Sequence, residues 1–153
     1  MSRQLMRLVG TIALAGAVFG VACNRSGFWW LGPGRNISRV LAIDSPDRMV
    51  VVGRFTERPT QLRDIRDRAT IDDTIAFFKR YPDGWAEFSG AFGDYEFQFF
   101  RNDQPLIRMG IKDSSRWSPG EARLNVGNYR LQVPVADVAA LASRLNLTWP
   151  PPR

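Results

Sequence analysis

Three carboxylates lie close together in the sequence, Glu87, Asp94 and Glu96, interleaved with the aromatics Trp85, Phe88 and Tyr95. Two acids flanking a cleft at ~5–9.5 Å can hydrolyse a glycosidic bond, and aromatic faces can stack on the sugar. A second acidic pair, Asp72 and Asp73, could work as acid and base or hold a metal. It falls where a helix begins, however, and carboxylates are common there because they complement the helix dipole. The remaining chemistry is sparse. Histidine is absent, which removes imidazole bases, Ser–His and Cys–His nucleophiles and histidine metal ligands. The two lysines, Lys79 and Lys112, lie in no S-x-x-K pattern. "GAFGD" and "GRNIS" lack the lysine and the strand-to-helix setting of a phosphate loop. A single cysteine, Cys23, allows neither an intrachain disulfide nor a thiolate metal cluster. No catalytic residue, metal or cofactor is expected from these residues, with a small carboxylate-dependent hydrolase as the alternative.

The length of 153 residues suits one domain, and 44% hydrophobic with 12% aromatic residues is enough for a packed core. The net charge of +6 invites a nucleic-acid reading, but the distribution of charge argues against it. In "RFTERPTQLRDIRDRATIDD" the arginines alternate with Glu57, Asp64, Asp67, Asp72 and Asp73. Mixed signs of this kind mark a solvated face, whereas a nucleic-acid footprint needs uncompensated basic clusters. No nucleic-acid partner is expected.

The first 23 residues have the layout of an export signal. Arg3 and Arg7 precede an apolar run from Leu8 to Phe19, and Gly20-Val21-Ala22 offers small residues ahead of Cys23. The apolar stretch is shorter than the ~20 residues a membrane-spanning helix requires. This segment resembles a bacterial lipoprotein signal peptide, in which an aliphatic residue and two small residues precede the lipidated cysteine. The resemblance implies removal of residues 1–22 and acylation of Cys23, with Gly20 standing where leucine is usual. Ordinary cleavage after Ala22 and a retained signal are the alternatives. Multiple acyl chains give stable anchoring where one chain does not, so the membrane is the implied partner. Residues 23–36 would then be a tether or a lead-in strand, with Phe28, Trp29 and Trp30 suited to an interface or to packing on the domain.

From residue 37 to 148 the pattern predicts one α+β domain. "ISRVLAI" and "RMVVVGRF" read as an opening hairpin around Asp44-Ser45-Pro46-Asp47, and "QLRDIRD" as an edge strand or a loop. In "TIDDTIAFFKRY", Ile71, Ile75, Phe78 and Tyr81 share a helical face, with Thr70 or Asp72 as cap. "DYEFQFF", "PLIRMGIK" and "EARLNVGNYRLQV" alternate as strands, the last turning at Gly127-Asn128. "VADVAALASRLNL" is a second helix, with Val138, Leu141, Ala142 and Leu145 on one face. The expected fold is an antiparallel sheet of about six strands with two amphipathic helices on one face, in the order ββ(β)αββββα, ending in an extended tail at residues 149–153. This order resembles small extracytoplasmic lipoprotein domains of bacteria, a likeness of pattern that assigns no site residues. The glycine-rich loop "YPDGWAEFSGAFGDY" presents Trp85, Phe88 and Tyr95 either as an interaction surface or as aromatics folded onto the sheet edge. The expected function is that of a periplasmic, membrane-anchored binding or accessory module for an envelope protein. An inhibitor or immunity protein acting on an envelope enzyme is the alternative.

Overall fold

The computed structural model describes residues 34–55, 58–88 and 93–152. Cys23 and the expected signal and tether residues up to 33 lie outside the described residues, as do residues 56, 57, 89–92 and 153. The fold is α+β, as expected. Seven antiparallel strands form one sheet in the order β2-β1-β4-β5-β6-β7-β3. The strands are β1 (Arg48–Gly53), β2 (Thr60–Ile65), β3 (Ala86–Glu87), β4 (Tyr95–Arg101), β5 (Gln104–Asp113), β6 (Glu121–Val126) and β7 (Tyr129–Pro134). The helices are α1 (Arg68–Lys79) and α2 (Val135–Arg144).

Alternation decides which side of the sheet the helices cover. Met49 and Val51 of β1, Phe97 and Phe99 of β4, Met109 and Ile111 of β5, and Leu124 and Val126 of β6 are all buried in one cluster. Ile71, Ile75 and Phe78 of α1 and Val138 and Leu141 of α2 complete that cluster from above. The short hairpin turns meet their backbone demands with residues that tolerate positive φ: Asn102 and Asp103 between β4 and β5, and Gly127 between β6 and β7.

Several expectations at element ends are corrected. Residues 37–43 form no strand. Leu41 N–H donates to the Ile37 carbonyl at 3.0 Å, which closes a helical turn, and Ser38 N–H donates to the Asn36 side chain at 3.0 Å. Ile37 and Leu41, four residues apart, are the ones buried, while Val40 is exposed. The β-branched run was misleading because the burial period is helical. β1 therefore pairs with β2 and β4, and "QLRDIRD" supplies the exposed edge strand. The cap of α1 is neither Thr70 nor Asp72 but Asp67, whose Oδ2 accepts from Thr70 N–H at 2.9 Å and from its hydroxyl at 2.6 Å. Those bonds hold the Asp67 carboxyl below the usual carboxylate range. The glycine-rich loop also contributes a strand, since Ala86 and Glu87 pair with Arg130 and Tyr129. Residues 149–152 take no helix or strand, but they lie against the domain: the Thr148 carbonyl accepts the Tyr95 hydroxyl at 2.5 Å, and Pro151 is buried.

Candidate functional site

The first candidate surface is dismantled by packing. Trp85 and Tyr95 are buried, at 0% and 1% exposure, so neither offers a surface to a partner. The Trp85 indole N–H donates to the Tyr81 carbonyl at 2.6 Å, which satisfies its one polar atom inside the core. Phe88 is half-buried and held between two guanidinium groups, Arg123 at 5.0 Å and Arg130 at 4.8 Å from the ring centroid. Of the two readings of this loop, packing in the core and at the sheet edge describes Trp85, Phe88 and Tyr95, and an interaction surface formed by the three does not.

Glu87 is likewise separated from the other two carboxylates. Glu87 sits on β3, four strands from β4, which at the usual strand spacing is roughly 19 Å from Glu96. That exceeds the separation at which two acids can share a glycosidic bond. Glu96 is fully buried, and its Oε2 accepts from Arg54 Nε at 2.5 Å while Oε1 accepts from Gln98 Nε2 at 2.8 Å. Asp72 pairs with Arg68 at 2.8 Å one helical turn away. Asp73 lines a separate cavity of about 260 Å³ between α1 and α2, beside Arg144. No group of three or more carboxylate, cysteine or histidine side chains suited to a metal occurs among the described residues.

A different site forms at the end of the sheet where β4 starts and β5 stops. Asp94 precedes β4, Lys112 and Asp113 end β5, Arg116 and Trp117 come from the loop to β6, Phe55 follows β1, and Pro151 and Pro152 close the side. Together these residues line a concavity of about 290 Å³. Gly93 makes the arrangement sterically feasible: a Cβ there would lie 2.1 Å from the Ile111 carbonyl oxygen. Only glycine lets the chain pass over β5 at that distance and deliver Asp94 to the rim.

Backbone bonds set the loop that carries Trp117. Ser115 N–H donates to Asp113 Oδ1, and Trp117 and Ser118 N–H both donate to the Ser114 carbonyl at 2.9 Å. Glu121 N–H donates to the Ser118 carbonyl at 3.0 Å and returns the chain to β6. The turn that presents the indole is thereby set, and the side chain is 73% exposed, the most exposed large hydrophobic side chain described. Lys112 Nζ lies 6.0 Å from its ring centroid.

Burial pushes the Asp94 carboxyl above its ordinary value, and Asp113 N–H, at 2.7 Å, together with the Lys112 charge partly offsets this. Burial likewise raises Tyr95, with a further contribution from Asp94. Arg123 is shifted down by burial and then by Arg130, against the opposing charge of Asp94. The rim thus combines an exposed aromatic plate with acids and bases that can still bond a ligand. Sequence reading missed this site because its members come from four places in the chain. The one local sign was a tryptophan set among turn formers, "SSRWSPG".

Comparison with protein-family models, with curated protein sequences and with solved structures returns no match to this chain.

Proposed function

We propose that this chain is a cell-envelope lipoprotein, held at a membrane through Cys23, whose α+β domain is a non-catalytic binding or accessory module. The exposed Trp117 beside Lys112 and Arg116, on a hydrogen-bonded turn at the edge of a concavity, carries the binding half of this reading. A large exposed aromatic beside charged neighbours suits an anchor for a partner. The engagement of Glu96 by Arg54 and Gln98, and its distance from Glu87, favour binding over acid–base hydrolysis. The anchoring half rests on the N-terminal pattern ending at Cys23. No helix among the described residues is long and apolar enough to cross a membrane.

Two measurements test the two halves. Mass spectrometry of the purified chain should find residues 1–22 removed and Cys23 acylated; an unmodified Cys23 ends the anchoring half. A photo-crosslinking amino acid at position 116, activated in intact cells, should trap an envelope component and lose it in Trp117→Ala. If no adduct forms at this rim, the binding half is wrong. If the trapped species is one enzyme at near-stoichiometric yield, the module is an inhibitor or immunity protein.

A further inference from the structure

The make-up of the rim limits what it can hold. Its charged residues are Asp94, Asp113, Lys112 and Arg116, two acids and two bases, so the lining is formally neutral. A neutral lining gives no net field to draw in a polyanion or a cation. Its apolar walls are the rings of Phe55 and Trp117 and the prolines Pro151 and Pro152. The volume lies near the lower end of small-molecule sites, ~300 Å³, and suits a compact ring better than an extended peptide.

Hydrogen-bonding capacity of both signs remains unspent there. Asp94 Oδ2 accepts from Asp113 N–H, while Oδ1 accepts nothing from the described residues. Neither Arg116 nor the Lys112 ammonium donates a hydrogen bond to a described residue; Lys112 lies near the Trp117 ring and near the Asp94 charge. A ligand that satisfies this rim needs hydroxyls that both donate and accept, no net charge, and a flat apolar face for the indole. We infer that the concavity at Trp117 binds a neutral saccharide, one sugar ring lying on the Trp117 plate while its hydroxyls bridge Asp94 and Arg116. The inference rests on the binding-module reading and assigns a ligand class to the same site. No covalent step is involved.

The test uses the chain as purified from membranes, in micelles of a sugar-free detergent, titrated with a panel of neutral tetrasaccharides (cello-, malto-, chito-, xylo- and manno-) and followed by calorimetry. At least one should bind saturably. Both Trp117→Ala and Arg116→Ala, which alter exposed side chains and should leave melting unchanged, should weaken that binding by roughly tenfold or more. Trp117→Phe should restore part of it. Failure of the whole panel to bind, or binding that is indifferent to Trp117→Ala, overturns the saccharide assignment. Inositol hexakisphosphate is the control for an anion site: binding of it alone, weakening with salt, also overturns the assignment while the crosslink at position 116 would still stand.

Discussion

On the helix side of the sheet, Phe97 and Phe99 of β4 are sealed among Met109, Ile111, Phe78 and Val51, and none carries a polar side-chain atom needing a partner. On the opposite side Glu96, the residue next to Phe97, is as completely buried, and so is Asn125 of β6 at 2% exposure. Register places them in one cross-strand row: Val52, Glu96, Gly110, Asn125 and Arg130. The two polar residues differ in their partners. Glu96 is bonded by Arg54 and Gln98, whereas both amide atoms of Asn125 and the Nε of Arg123 are buried with no bond. Removing hydrocarbon from the first side should therefore be costly. Removing polarity from the second should be costly only where that polarity is paired.

Four measurements would break or sharpen this contrast. Phe97→Ala should have the largest effect, a loss of about 3–5 kcal/mol in chemical denaturation, because the site is enclosed by strands and helices that cannot collapse. A loss below 1 kcal/mol, on the order of a surface change, would mean the face is not the core. Glu96→Ala should cost about 2 kcal/mol, less than the ~3–5 for a pair buried on both sides, since Arg54 is one-third exposed and regains water. Asn125→Leu should instead stabilise, by about 1 kcal/mol, by removing an unsatisfied buried amide. A loss at that position would show that the amide bonds a partner such as water.

The smallest effect is a pH slope. Because the folded value of Asp94 lies above its ordinary 3.8, the native state holds this proton more tightly than the unfolded chain. Stability should fall as pH rises from the ordinary carboxylate range through the raised value, and Asp94→Asn should flatten that part of the curve. Asp67 works the other way: its lowered value adds stability above the ordinary range that is lost as pH falls through the folded value. Thermal melts of the Asp94→Asn and Asp67→Asn variants across the acid range separate the two slopes.

Local pattern determined much of this protein. The alternation of Tyr95, Phe97 and Phe99, the turn at Gly127-Asn128, and the face of Val138, Leu141, Ala142 and Leu145 are all periodic signals spanning a few residues, and each is realised in the structure. They suffice because strand and helix burial repeat at fixed spacings along the chain. Tertiary structure decided the matters that depend on distant residues. It turned Ile37 and Leu41 into a helical turn over the core and sent Trp85 and Tyr95 inward. It also buried Glu96 opposite Arg54, and gathered Phe55, Asp94, Trp117 and Pro151 at one rim. No periodicity links those positions, so their meeting is a property of strand order and loop path, which a single sequence does not display.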